Sequence, residues 1–403
     1  MPESLWLQST SPAFRLMIAT SWLAAGPWHE SQNEAIARAI DAGADWSEFL
    51  TLVDRHRTPA LSWAALSRVP GITIPESFKI ELQKRSNACR MNAVKQCLLL
   101  YEILKAFNSG SITSMPFKGQ LLSHELYGDV GLRHSRDLDL AVMAEDLDRA
   151  KACLEVLGWK QDASTWFTLT PRQWRNLIQY EHHLDFTHTQ TGTLLELHWR
   201  DQWETPEATS ARWRRSKNLI WQGNSVQTMT PADLTLYLCC HGGDHAWFRA
   251  KWLGDLARAY VVGKLDWDGA FEGARRSGQD RVLFAAQVLL DRAYGFGLAP
   301  PTAESMIRKL PLLIDVPLHA IATPPVQGMP ITLTSFRNRL RMSRYKSHLW
   351  PQASLRSKLG ELFHCREDYK LFPLPDSCFW AYKPLRPLLW IWKWMNRSTR
   401  TIH

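Results

Sequence analysis

The sequence has no apolar run close to the ~18 residues that a membrane-spanning helix needs, which argues against a conventional integral membrane protein. It also lacks the basic start of a secretory signal. Arg15 is the only basic residue before the apolar stretch 16–25. The acid Glu3 lies where a secretory signal would carry basic residues. We expect this stretch to form an amphipathic or core helix.

Paired metal-binding cysteines are missing as well. The seven cysteines are an odd number, lie scattered along the chain and form no C-x-x-C pair. This pattern argues against a zinc ribbon and against a disulfide framework, so we expect a reducing, cytoplasmic location. There is no H-E-x-x-H zinc motif, and Gly242-Gly243 is not followed by the Lys-Ser/Thr of a phosphate-binding P-loop.

What is present is ordinary globular composition with an uneven charge. The 403 residues are 45% hydrophobic and 22% charged, enough for two or three domains. Residues 331–403 hold 14 Lys and Arg against 4 Asp and Glu, whereas the preceding residues hold 34 against 35. The basic tail could attract phosphates, nucleic acid, an acidic peptide or a membrane surface, or it could form a solvated basic face.

Apolar spacing predicts four regions: an N-terminal helical region at 1–105, an α/β core at 106–222, a helical domain at 223–325 and a basic Trp/Pro-rich segment at 326–403. Within the first, a long helix at 78–104 carries a stripe that we expect in the core. Its members are Met91, Val94, Cys97, Leu98, Tyr101 and Leu104. Beyond residue 323 the many prolines predict irregular chain with short helices.

The second region is predicted to alternate strands and helices. A short apolar segment at 112–117 precedes a helix at 120–127 that Gly128 closes, then a strand at 138–143 and a helix at 147–157. Alternating residues at 183–187 and 193–199 predict a β-hairpin. The fold class is therefore α+β with a mixed sheet, flanked by helical regions.

Two acids mark the candidate chemistry. Asp137 and Asp139 are two apart at the start of a strand, so they share a face and repel unless a divalent cation lies between them. Oxygen ligands of this kind suit Mg²⁺ or Mn²⁺, which also take phosphate oxygens of a nucleotide. Lys118-Gly119 lies upstream at a strand-to-helix turn that favours an anion, and Glu196 on a predicted core strand is the natural third carboxylate.

A family resemblance becomes specific at this point. Residues 115–143, the Glu-Leu-His-Trp at 196–199 and the segments 241–247 and 252–257 resemble a poorly characterised bacterial nucleotidyltransferase family called NTP-transferase type 5. That family is a branch of the polymerase-β-like superfamily, and the resemblance covers about residues 40–260. The superfamily's usual Gly-Ser or Gly-Gly is replaced here by Lys118-Gly119, and His134 stands where relatives often carry proline.

The resemblance implies a polymerase-β-like core that performs metal-assisted nucleotidyl transfer from an NTP, with pyrophosphate leaving. Asp137 and Asp139 would hold Mg²⁺ or Mn²⁺, and Glu196 would complete the acceptor-side metal site and help to deprotonate the attacking hydroxyl. The nucleotide-binding candidates are Lys118, Gly119, Arg133, Ser135 and Arg136. The two arginines could instead be structural salt-bridge partners of the acids.

Several histidines invite weaker predictions. His198 should lie on the same side of its strand as Glu196 and could orient it, and His245 could line the cleft. His241 shares a helix face with His245, but no third ligand completes a zinc site. His182 and His183 should point to opposite strand faces, so at most one could join Asp185 in a metal cluster.

The acceptor and partners are open to more than one hypothesis. Relatives resemble accessory enzymes of peptide natural-product or polysaccharide pathways, which implies a peptide or sugar hydroxyl; nucleic acid is less favoured. The alternatives are a non-catalytic nucleotide- or peptide-binding module and a toxin-like modifier of RNA or protein. The aromatic and cationic residues of 376–403 could contact bases or a membrane surface, or pack back onto the core.

Overall fold

Helices fill the chain before the sheet. A computed structural model describes residues 4–162, 169–323, 333–351 and 366–395. The first helices are α1 (Leu5–Gln8), α2 (Pro12–Thr20), α3 (Trp28–Asp41), α4 (Trp46–His56), α5 (Pro59–Leu66) and α6 (Glu76–Ser109). The side chains of Ser11 and Asp45 cap α2 and α4 by accepting backbone N–H bonds. Arg57 ends α4 in the left-handed conformation, at φ 57°.

The central region forms the predicted mixed sheet. Its elements are β1 (Ser114–Pro116), α7 (Gly119–Tyr127), β2 (Asp137–Val142), α8 (Leu147–Val156), β3 (Trp159–Gln161), α9 (Pro171–Tyr180), β4 (His183–His188) and β5 (Leu194–His198). The strand order is β1-β2-β5-β4-β3, with β2 and β5 parallel and the other pairs antiparallel. The α+β fold class is thus confirmed. Sequence patterning missed β3, which has only three residues, and α9.

One face of this sheet is apolar and lies against α6 and α8. Its side chains and those of α6 form a single buried cluster that includes Leu138, Leu140, Leu195, Leu197, Phe186, Leu100, Ile103 and Phe107. Because side chains alternate along a strand, the residues between these leucines point to the opposite face. That opposite face carries the candidate site.

The stripe predicted on α6 is only partly in the core. Cys97 and Leu104 are buried, whereas Met91 is 71% and Leu98 63% exposed, and Val94 and Tyr101 are exposed too. The buried face of α6 is centred on Ala93, Leu100 and Phe107, about half a turn away from the exposed residues. The core prediction was therefore wrong for those four side chains.

Helices dominate again after the sheet. A helix α10 (Pro206–Arg215) and a hairpin of β6 (Lys217–Trp221) and β7 (Asn224–Thr228) lead into α11 (Pro231–Asp244), α12 (Ala250–Val261), α13 (Trp267–Ser277), α14 (Asp280–Tyr294), α15 (Pro301–Lys309) and α16 (Leu312–Ala322). The cores of α2–α5 and α11–α16 are continuous in one apolar cluster. The N-terminal helices and those that follow the sheet therefore pack together.

The basic tail contains α17 (Leu333–Leu349), α18 (Arg366–Leu371) and α19 (Tyr382–Met395). With 17 residues, α17 is longer than the short helices expected, since no proline falls between positions 330 and 351. The Tyr345 hydroxyl donates to the Gly243 carbonyl at 2.6 Å, and the Tyr369 hydroxyl donates to Asn176 Oδ1 at 2.7 Å. The described tail thus packs back onto the rest of the chain.

Among the helices of the described ranges, none combines the length and apolar character needed to cross a bilayer.

Candidate active site

The turn between β1 and α7 brings a lysine to the sheet. Lys118 precedes α7 in an extended conformation, and Gly119 opens the helix at φ +54°, a left-handed value that favours glycine. A Cβ at Gly119 would lie 3.6 Å from Ser135 Oγ, so the turn packs closely on the segment before β2. Lys118 Nζ thereby reaches Asp139 Oδ1 at 2.8 Å.

The three predicted carboxylates lie on one face of the sheet. Asp139 and Glu196 are direct Cα partners across the parallel β2–β5 pair, and Asp137 is two residues before Asp139. The side chain of Asp139 is 4% exposed, whereas that of Glu196 is 31% exposed. The three carboxylates therefore lie together, and Asp137 and Glu196 open the group to solvent although Asp139 itself is buried.

His198 joins two of these carboxylates. Its Nε2 lies 3.1 Å from Glu196 Oε2 and 3.6 Å from Asp139 Oδ1. The Phe117 ring packs edge-on against the imidazole, with centroids 5.0 Å apart. Burial opposes a charge on His198, but the hydrogen bonds to Asp139 and Glu196 outweigh it and raise the pKa of the imidazole. His198 thus lies where it can hold Glu196 in a fixed orientation.

Neighbouring cations and hydrogen bonds stabilise the negative charges of the three acids to different extents. Burial would raise the pKa of Asp139, but Lys118 and His198 outweigh it and hold that pKa well below its usual range. Burial also opposes ionisation of Glu196, and the bond from His198 lowers its pKa. The pKa of Asp137 is raised, by burial and then by repulsion from Asp139 and Glu196.

A divalent cation fits this arrangement. The side chain of Asp137 makes no hydrogen bond or ion pair within the part of the chain that the structure describes, although two further carboxylates lie beside it. Carboxylate oxygens are the donors that Mg²⁺ and Mn²⁺ prefer. A cation between Asp137 and Asp139 would supply the charge that Asp137 lacks.

The other predicted nucleotide-binding residues have different surroundings. Ser135 is buried and its hydroxyl donates to the Asp137 carbonyl at 2.8 Å, which fixes the entry to β2. Arg133 is buried in an ion pair, with Nε 2.9 Å from Asp255 Oδ2 on α12. Arg136 is exposed. The sequence left both a phosphate and a structural role open for the two arginines, and the geometry favours the structural role for Arg133.

Cations from other parts of the chain also face the carboxylates. Lys251, at the start of α12, donates through Nζ to the His134 carbonyl at 3.1 Å. Burial, and then the charge of Arg133, lower the pKa of Lys251 to about 7. Arg57 interacts electrostatically with Asp137 and repels Arg136 and Arg249. Lys251 and Arg57 both fall within the stretch of about residues 40–260 that the family resemblance covers, but no residue pattern in the sequence singled them out.

Two histidines are closer together than predicted. His182 precedes β4 rather than lying within it, so the alternation rule does not separate it from His183, and their ring centroids are 4.4 Å apart. Both rings also lie near His198, at 5.9 Å and 5.1 Å. The expectation that the pair faces opposite ways was therefore wrong.

His241 and His245 share a helix face as predicted, with ring centroids 4.9 Å apart. Both rings pack on Trp252; His245 stacks on it at 5.0 Å and His241 meets it edge-on at 5.3 Å. Burial lowers the pKa of His245. The pair belongs to an aromatic cluster beside the site.

Comparison with known proteins decides the family. A family model described as an uncharacterised nucleotidyltransferase matches residues 42–295. The chain belongs to this nucleotidyltransferase family. The resemblance based on the acidic strand and the Lys-Gly turn is thereby confirmed, and the protein is an enzyme of the transferase class.

Other comparisons with this nucleotidyltransferase add little. No curated protein matches the chain. A solved structure of the antibiotic-resistance factor ANT(2'')-Ia is similar at 15% sequence identity and a TM-score of 0.32, covering 46% of this chain and 93% of that chain.

Proposed function

We propose that this nucleotidyltransferase transfers a nucleoside monophosphate from an NTP to a hydroxyl acceptor, with Mg²⁺ or Mn²⁺ as cofactor. The supporting observation is the convergence of Asp137, Asp139 and Glu196 on one solvent-accessible sheet face beside Lys118. In the transfer, the acceptor oxygen forms a bond to the α-phosphorus. The bond from that phosphorus to the bridging oxygen breaks, and pyrophosphate leaves with the electron pair.

The acids have distinct roles in this proposal. Asp137 and Asp139 would hold the metal, which when bound neutralises triphosphate charge and polarises the phosphoryl oxygens. The lowered pKa of Glu196 favours its ionised form, and its side chain is more exposed than that of Asp139. Glu196 would therefore accept the proton of the acceptor hydroxyl. His198 would orient Glu196 through the 3.1 Å contact. Lys118 would keep Asp139 charged and in place.

The phosphates would meet cationic side chains beside the carboxylates. Arg136 is exposed, and Arg57, Arg249 and Lys251 crowd the same region with like charge. An anion would relieve that repulsion. Arg133 would act as a positioning residue, since its ion pair with Asp255 fixes the loop before β2 to α12. Gly119 and Ser135 would shape the turn on which the nucleotide lies.

The acceptor in this proposal is a peptide or sugar hydroxyl, and an RNA or protein target is the alternative. We place the reaction in the cytoplasm, where NTPs are found and where thiols such as those of the buried Cys239 and Cys240 stay reduced.

Incubation with each labelled NTP and a lysate of the source cell, followed by mass spectrometry, tests the proposal. We expect a metal-dependent nucleotidyl adduct and released pyrophosphate with the wild type. The Asp137→Asn/Asp139→Asn variant should lose both by about 10³-fold or more. The control Glu145→Gln, an exposed acid just beyond β2, should retain them.

Nucleotide binding by the wild type without pyrophosphate release from any acceptor pool would contradict transfer and favour a binding module. Equal turnover by the double variant would contradict the site.

A further inference from the structure

Four potential metal ligands form a square beside the proposed Mg²⁺ site. Across the antiparallel β4–β5 pair, His183 lies opposite His198 and Asp185 lies opposite Glu196. Side chains two apart on a strand share a face, so all four project from the polar face of the sheet. The ladder places two imidazoles at one end of the square and two carboxylates at the other.

The distances within the square suit a single ion. One potential ligand atom each from His183, Glu196 and His198 lies within 4.8 Å of the others. The carboxylates already lie close to the imidazoles, since His183 Nε2 is 3.1 Å from Asp185 Oδ1 and His198 Nε2 is 3.1 Å from Glu196 Oε2. The side chain of His183 is 21% exposed, so an ion could enter from solvent.

Both rings also have an unused nitrogen. The Nδ1 atoms of His183 and His198 are buried and have no hydrogen-bond partner within the described ranges. A buried polar atom without a partner is costly, so it marks a position where a ligand or a rotated ring would be accommodated.

We propose that His183, His198 and Glu196 form a second metal site that takes a borderline transition ion such as Zn²⁺ or Co²⁺. Two imidazoles and one carboxylate are a ligand set that such ions accept, whereas Mg²⁺ prefers oxygen. Asp185 holds His183 through their hydrogen bond and supports its orientation. The site differs from the all-oxygen Asp137–Asp139 pair and shares only Glu196 with the proposed catalytic carboxylates.

The role of this site rests on the proposed function, but the binding itself does not. A cation on Glu196 would lie on the acceptor side and would favour an acceptor oxygen that has lost its proton. His198 lies 3.6 Å from Asp139, so it connects the two sites. The enzyme would then use different metals for phosphate and for acceptor.

Equilibrium dialysis of the chelator-treated full chain against Zn²⁺ alone tests the site, with Co²⁺ absorption as a second probe of imidazole ligands. We expect one bound equivalent, at least about tenfold weaker in His183→Gln and in Glu196→Gln. Asp137→Asn, which removes a proposed Mg²⁺ ligand, and His29→Gln, at an exposed histidine, should bind Zn²⁺ like the wild type.

Zinc binding that His183→Gln leaves unchanged, or no stoichiometric binding, would overturn the site. If the variants fail to fold, X-ray absorption of the Zn²⁺-loaded wild type reports how many imidazoles bind the ion. Two imidazole ligands would support the site, and fewer would overturn it. If the wild type binds Zn²⁺ as expected but shows no nucleotidyl transfer, the proposed function is contradicted while the Zn²⁺ site is supported.

Discussion

The two faces of the five-stranded sheet differ sharply although the same strands supply both. On β2 and β5, Leu138, Leu140, Leu195 and Leu197 are almost fully buried under α6 and α8. The residues between them, such as Asp139 and Glu196, are acids on the opposite face. Alternation along a strand thus separates a face that stabilises the fold from a face that carries the chemistry.

Two buried histidines, His56 and His198, also differ in the direction in which their surroundings shift the imidazole pKa. His56, in α4, is neutral because burial and the nearby Arg55 lower its pKa to about 3, and its Nδ1 accepts the Ala250 N–H. His198, on the acidic face, has a raised pKa because its bonds to Asp139 and Glu196 outweigh its burial. The same side chain is therefore neutral where burial and neighbouring arginines oppose its charge, and it favours its charged form beside the acids.

Substitution on the acidic face should have the largest effect on activity. Glu196→Gln keeps the shape of the side chain but removes its charge and proton affinity. We expect kcat to fall about 10²-fold or more, with the free energy of unfolding changed by less than about 1 kcal/mol. Pyrophosphate release and urea unfolding measure the two quantities, with Glu155→Gln on the exposed side of α8 as control. Equal losses of activity and stability would show that the two faces are not separate.

Substitution at the next residue, Leu197, should lower stability and leave activity nearly unchanged. Leu197→Ala opens a cavity on the apolar face and should lower the free energy of unfolding by about 2–5 kcal/mol. Chemical denaturation provides the measurement. The transfer rate per folded molecule should stay close to that of the wild type. A loss of turnover as large as that of Glu196→Gln would show that packing on the apolar face also controls the chemistry.

The histidine contrast predicts a smaller effect of pH on stability. The folded state binds a proton at His56 only near pH 3, while the unfolded chain binds it near pH 6.5, so stability falls as the pH drops below 6.5. At pH 5 the loss from this group is about 2 kcal/mol. Urea unfolding at pH 7 and pH 5 should show a smaller loss in His56→Gln than in the wild type. An identical loss in both would mean that His56 does not stay neutral in the fold.

Local sequence patterns predicted much of the sheet and its acids. The helix closed by Gly128, the strand at Asp137–Val142 and the hairpin at 183–199 depend on turn residues and alternation, which act within a few positions. Glu196 was found because an acid among leucines on a strand needs a partner. Such signals are local, so a single sequence contains them.

What escaped prediction depends on tertiary packing. The apolar stripe of α6 contains Met91 and Leu98, yet the sheet covers only the opposite side of that helix. Arg57 and Lys251 reach the site from helices distant in sequence, and Arg133 finds Asp255 more than a hundred residues away. No periodicity encodes which helix packs where.

In the proposed mechanism, Asp137 and Asp139 share a divalent cation on the polar face of the sheet. Crystals of the full chain soaked with Mn²⁺ and a non-hydrolysable NTP would locate the ion by its anomalous scattering. We expect a peak within about 2.5 Å of a carboxylate oxygen from each of the two aspartates, with triphosphate oxygens completing its shell. Nucleotide bound elsewhere, or an ion that touches neither aspartate, would show that Asp137 and Asp139 do not hold the metal.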